Sequence, residues 1–152
     1  MARLDKLTVK AREALAQAQE LTGARQQQEI QPEHVLLALL RQEGGVVAPL
    51  VRKVGADPTV LEHELERALD ETPRVQGAVD IYFSRRTKEL LDQAAREAEQ
   101  RKDEYLSSEH LLLAAAHKDV GPASRALREA GLDYETLLRA LAEVRGTQRV
   151  TD

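Results

Sequence analysis

The 152-residue sequence contains no cysteine and no tryptophan, and only 3% of it is aromatic. Without thiols there can be no disulfide framework, thiol catalysis or cysteine-ligated zinc. No apolar run approaches the roughly 20 residues of a membrane span. The opening residues, Met1-Ala2-Arg3-Leu4-Asp5-Lys6, also lack the apolar core of a signal peptide. Neither sign of charge dominates: 22 basic side chains are interleaved with 26 acidic ones, for a net charge of −4. A nucleic-acid binder would need a basic face, and none is apparent. The sequence has no Gly-x-x-x-x-Gly-Lys-Ser/Thr phosphate loop, no Gly-x-Ser-x-Gly elbow and no His-Glu-x-x-His pair. No catalytic residue, metal ligand or cofactor is therefore expected in this chain. The expectation is a cytoplasmic, monomeric domain with no membrane or nucleic-acid partner.

What is present is a leucine-, alanine- and valine-rich palette making the chain 42% hydrophobic, with many Glu, Arg and Gln. That composition points to an all-α fold. Its focus is Glu33-His34-Val35-Leu36-Leu37-Ala38-Leu39-Leu40, which returns as Glu109-His110-Leu111-Leu112-Leu113-Ala114-Ala115-Ala116 at an offset of 110 − 34 = 76. Each copy is apolar almost all round, as a helix inside a helical layer must be. Pro32 and Ser107 mark their starts.

Four helices precede the second copy's half. Thr8 is an N-cap followed by Ala11, Ala14, Leu15, Ala18 and Leu21 at helical spacing, with Gly23 as the expected stop. The helix from Pro32 ends at Gly44-Gly45. Val47, Leu50, Val51 and Val54 form the next stripe, closed by Gly55, and Asp57-Pro58 opens a fourth with Leu61, Leu65, Ala68 and Leu69. The same register recurs at Ser84, Leu91, Ala94, Gly121, Gly131, Asp133, Leu137 and Leu141. Eight helices in two repeats follow from this: repeat one at about 8–70, a connector at 71–83, and repeat two at about 84–145. Val79, Ile81, Tyr82 and Phe83 make the connector an ordered one, and the polar tail 146–152 reads as the start of a linker.

Several features taken together resemble the N-terminal domain of Clp ATPases. They are Leu4-Asp5-Lys6-Leu7-Thr8, the paired Glu-His helices, Ala68-Leu69 followed by Pro73-Arg74-Val75-Gln76-Gly77, and Val144-Arg145-Gly146. The connector and the tail lean towards the ClpB-type disaggregases. The resemblance implies two four-helix repeats about a pseudo-twofold axis. It also implies a parent that binds ATP, forms a homohexamer and works with a DnaK-type chaperone system on unfolded or aggregated proteins. Residues matching Thr8, Asp103 and Glu109 handle substrate in such domains, and related Clp domains use the glutamate at Glu33 and Glu109 for charged groups. From the residues alone, Thr8 is first a cap, and the two glutamates are first-turn acids favoured by the helix dipole. Their functional reading is as exposed acidic contacts, one per repeat. His34 and His110 are expected to pack or hydrogen-bond near their helix starts.

Client capture further requires an apolar groove, expected at the repeat junction beside the helix from Ser84. That helix should turn Lys88, Gln93 and Glu97 outward. Val9, Leu90, Leu91 and Leu111 are the apolar candidates, of which Leu91 and Leu111 join Thr8, Asp103, Glu109 and Glu33 as expected substrate-binding residues. Adaptor docking, as in protease-associated Clp ATPases, is the alternative, because the Glu-His helices are common to both. A stand-alone enzyme or DNA-binding domain is disfavoured by the acidic balance and the missing motifs.

Overall fold

The structure, a computed structural model, describes residues 4–77 and 80–145. Among the described residues there are eight α-helices: α1 (Val9–Ala24), α2 (Pro32–Arg41), α3 (Val47–Val54), α4 (Pro58–Asp70), α5 (Arg85–Gln100), α6 (Ser108–His117), α7 (Pro122–Glu129) and α8 (Tyr134–Arg145). A single 3-10 turn at Leu4–Lys6 precedes them. The offset of 76 carries the bounds of α1 onto α5 and of α2 onto α6 without remainder. The caps recur with it. The Thr8 hydroxyl accepts from the Ala11 amide and that of Ser84 from the Thr87 amide. Asp57 accepts from Thr59 and Asp133 from Thr136. Such caps are worth on the order of 1 kcal/mol each. Even the left-handed residue after the first helix of each repeat is repeated, as Gln26 and Lys102, both at φ 59.

The repeats do not sit side by side; they exchange partners. Helix α3 packs on α8 and α4 on α7, while α2 and α6 meet in the middle. The strands repeat the exchange. β1 (Glu29–Ile30) pairs in parallel with β2 (Tyr82–Phe83), matching Ile30 to Phe83. The pseudo-equivalent positions, Leu7 and Leu106, form a second parallel bridge. The segment that enters each central helix is thus paired with the segment that leads into the first helix of the other repeat. In the described part of the connector, β2 pairs with β1 and the Val75 amide donates to the Gln26 carbonyl at 2.8 Å. Ile81 and Phe83 pack on the core, whereas Tyr82 is exposed. Val79 and the tail 146–152 lie outside the described residues.

Helix α1 runs through Gly23 to Ala24, so that glycine is not the stop. A Cβ there would meet the Ile81 side chain at 3.2 Å, so any larger residue must displace Ile81 by a few tenths of an ångström. The core is contiguous and includes Leu36, Leu37, Leu39, Leu112, Leu113, Leu127 and Leu137.

Candidate functional site

The two Glu-His helices build their own polar ends. At the start of α2 the Gln31 amide donates to His34 Nδ1 at 2.9 Å, and at the start of α6 the Ser107 amide donates to His110 Nδ1 at 2.8 Å. A ring nitrogen that accepts carries no proton, so the other nitrogen must donate. His34 Nε2 donates to Gln27 Oε1 at 2.8 Å, and His110 Nε2 to Asp103 Oδ2 at 2.7 Å. Both rings are fully buried. Burial, with the nearby Arg25 charge, pulls His34 down to about 4. Burial also lowers His110, although Asp103 works in the opposite direction.

Gln27 and Asp103 are themselves equivalent under the offset of 76, and they use the position differently. Gln27 donates to the Leu69 carbonyl at 2.8 Å. Asp103 instead accepts two bonds from Arg145, at 2.6 and 3.0 Å. Arg145 lies in turn 3.8 Å from Glu109 Oε2, and Glu109 Oε1 accepts from the Ser107 hydroxyl at 2.7 Å. The amide of half-buried Thr8 donates to the Leu106 carbonyl at 3.0 Å, which sets it beside the same loop. Thr8, Asp103 and Glu109 therefore lie around residues 103–109. Asp103, however, is a buried structural acceptor and not a free loop carboxylate.

Three other expectations are corrected by burial. Glu33 is 1% exposed and presents no acidic contact to solvent. Its carboxylate accepts from the Ala123 amide at the start of α7, under the guanidinium of Arg86 at 3.7 Å. Burial pushes its carboxyl above the ordinary range, an effect only partly offset by Arg86 and that amide. Leu91 and Leu111 are core side chains, held between α5 and α6 because their spacing follows the buried stripe. They cannot touch a client. Nor do Gln93 and Glu97 point outward. Glu97 is fully buried and accepts from Gln93, from the Tyr134 hydroxyl at 2.6 Å and from His117 at 2.6 Å. Burial opposes its charge, yet these bonds outweigh that and hold the carboxyl below its usual value.

The apolar recess lies elsewhere. Between α3 and α8 runs a groove of about 390 Å³ lined by Val46, Pro49, Leu50, Leu141 and Val144 together with Lys53, Glu109 and Arg145. Leu50 and Leu141 form a buried floor, while Val46 and Val144 are 48% and 62% exposed. Sequence reasoning missed it because Val46 precedes α3 and Val144 sits on the solvent side of α8. The signal that existed was the two apolar residues at positions a surface helix fills with polar ones. Between α4 and α7 one recess is lined by Glu64, Arg67, Glu71, Arg125 and Glu129, and another by Val60, Leu61, Ala126 and Ala130 with Glu64 and Glu129. Among the described residues no group of three or more metal-ligating side chains is assembled, and no helix is long and apolar enough to cross a membrane.

Residues 6–130 match the model of the Clp repeat (R) N-terminal domain. The chain is 37% identical over 150 residues to the chaperone protein ClpB of Rhodopirellula baltica, covering 99% of this chain and 17% of that protein. Against ClpB of Vibrio cholerae it is 37% identical over 151 residues, covering 99% and 18%. The chain thus spans less than a fifth of the length of these curated relatives. Among solved structures, the Hsp104 N-terminal domain from Candida albicans superposes with a TM-score of 0.83 at 24% identity, covering 97% of this chain and 96% of that one, a likeness of fold. The N-terminal domain of the ClpV1 ATPase from E. coli gives 0.79 at 29% identity, covering 96% and 89%. A ClpV N-domain solved in complex with a VipB peptide gives 0.75 at 25% identity, covering 95% and 90%.

Proposed function

Because the chain belongs to the Clp repeat (R) N-terminal domain family, we propose that it is the client-recognition domain of a ClpB-type disaggregase. In this reading it holds exposed apolar segments of unfolded or aggregated proteins loosely and delivers them to the ATPase ring of a cytoplasmic parent. The domain performs no chemistry of its own, and ATP belongs to the parent. A homohexameric parent working with a DnaK-type system multiplies a weak single-domain affinity through several copies on one ring. The observation that supports this reading is the α3–α8 groove, whose exposed Val46 and Val144 flank a leucine floor. An apolar surface of that kind, rimmed by charge, is what a binder of non-native segments needs. Lys53, Glu109 and Arg145 give it polar edges that set orientation rather than affinity.

Calorimetric titration with a permanently unfolded protein tests the reading. A saturable signal that vanishes when the same protein is supplied folded is expected. No interaction with the unfolded form at about millimolar concentration, where K corresponds to only about 4 kcal/mol, would overturn it. Adaptor docking is the second reading, favoured by one observation: a ClpV N-domain similar to this chain was solved with a VipB peptide. Capture from lysate separates the two. One stoichiometric folded partner indicates an adaptor, and a heterogeneous set of misfolded proteins indicates clients.

A further inference from the structure

Both repeats run the same chain of bonds from the start of the central helix, and it ends differently in each. In repeat one the Gln31 amide holds His34 and His34 holds Gln27. The Gln27 side-chain nitrogen then donates to the Leu69 carbonyl at 2.8 Å and the Thr72 carbonyl at 3.3 Å. In repeat two the Ser107 amide holds His110 and His110 holds Asp103. Asp103 is the equivalent of Gln27, and a carboxylate has no proton to give a carbonyl. The donor has to come from the other partner, and it comes from Arg145, the equivalent of Leu69. Residue 69 is thus tied by its main chain, and residue 145 by its side chain.

The tie in repeat two is ionic, and it sits at a helix end. Arg145 closes α8, and the last carbonyls of a helix have no partner within it, so a final turn frays unless something holds it. The guanidinium meets Asp103 through two bonds, at 2.6 and 3.0 Å, a fork that fixes direction as well as distance. The Asp103 side chain is 0% exposed and that of Arg145 10%, so water screens the pair little. His110 holds the same carboxylate at 2.7 Å. With Arg145 drawn inward, Val144 stays on the solvent side and lines the α3–α8 groove beside Leu141. The Lys53–Glu143 pair between the same two helices is exposed on both partners and contributes little.

Resting on the client-recognition reading, we propose that Arg145 is a positioning residue of the α3–α8 groove. Through Asp103 it pins the last turn of α8, and with it Val144, so that this wall is already in place when a client arrives. The Asp103 side chain, shut off from solvent, acts on clients through Arg145 and touches none of them. A wall set in advance leaves less to be ordered on binding. Loss of the Asp103 charge therefore weakens binding although no side chain that a client could touch has changed.

The test is a double-mutant cycle on the full chain with Asp103→Asn, Arg145→Gln and the two together. It is read by amide hydrogen exchange and by calorimetric titration with a permanently unfolded protein. Asp103→Asn keeps the shape and the acceptor for His110 but removes the charge that Arg145 meets. Each single variant should speed exchange in the last turn of α8 by about tenfold, the scale of a charged hydrogen bond lost. Each should also weaken client binding by about threefold or more, with the double variant no worse than the poorer single one, because the two residues act as a unit. Arg145→Lys keeps a charge without the fork and should regain part of the loss. Asp70→Asn, which breaks the Arg25 pair at the end of α4, should leave both readouts within about twofold of wild type. Affinity losses that add in the double variant, unchanged exchange in the last turn of α8, or an Asp70→Asn defect equal to that of Arg145→Gln would overturn the proposal. If the last turn loosens while client affinity holds, the proposal falls and the client-recognition reading stands. If wild type binds no client, both fall.

Discussion

Histidine at the third position of a helix stands where the capping box usually places glutamate or glutamine. His34 and His110 do that work with a ring nitrogen, which fixes each ring as neutral with Nε2 donating. The consequence is a stability that depends on pH. His34 folded titrates at about 4 against an ordinary 6.5, so between those values the unfolded chain takes up a proton that the buried ring refuses. Stability is therefore intact above the unfolded pKa and falls as pH drops from 6.5 towards 4. Replacing the ring by a side chain that accepts the same amide bond without titrating isolates the effect. In urea denaturation, wild type should lose roughly 2–3 kcal/mol more than His34→Gln between neutral pH and about 4.5. Equal losses would show that the ring is charged when folded.

At this scale the sequence was a poor guide to side chains that meet across long separations. Thr8, Ser84, Asp57 and Asp133 were legible as caps because the amides that donate to them lie two or three residues away. Asp103 looked like a free loop carboxylate because its partner Arg145 is 42 residues distant. Glu33 looked exposed for the same reason, since the α7 amide and Arg86 that cover it belong to the other repeat. Gln93 and Glu97 were placed outside on polarity alone, and the Tyr134 and His117 donors that admit Glu97 to the interior carry no local signal.

At the scale of elements, the helices and their order followed from period and caps, whereas the partner exchange did not. Nothing in the spacing of α3 or α8 says that each packs on the other rather than within its own repeat. The two strands were invisible because two residues cannot establish a period. The central helices were the surest part. Leu37 and Leu113 are 1% and 0% exposed at equivalent places on α2 and α6. Leu37→Ala and Leu113→Ala should each cost about 2–5 kcal/mol by denaturant melts. A cost below about half a kcal/mol at either would mean that its helix does not face the core.

For the whole molecule, exchange makes the repeats one folding unit. The segment entering each central helix is paired with the segment entering the other half's first helix, and α3 and α4 also touch α8 and α7 of the second repeat. Neither half buries its apolar faces alone, so a single cooperative transition with equal calorimetric and van't Hoff enthalpies is expected. Two resolved transitions would contradict the interlocked fold. The same exchange produces the α3–α8 groove, where Val46 and Val144 flank the Leu50 and Leu141 floor.

Residue-resolved amide chemical shifts of the domain, followed during titration with a permanently unfolded protein, test most directly whether that groove is where clients are held. Perturbations clustered at 45–53 and 141–145, extending to Glu109, are the predicted result. Perturbations confined to α4 and α7, or none at saturating client, would contradict it.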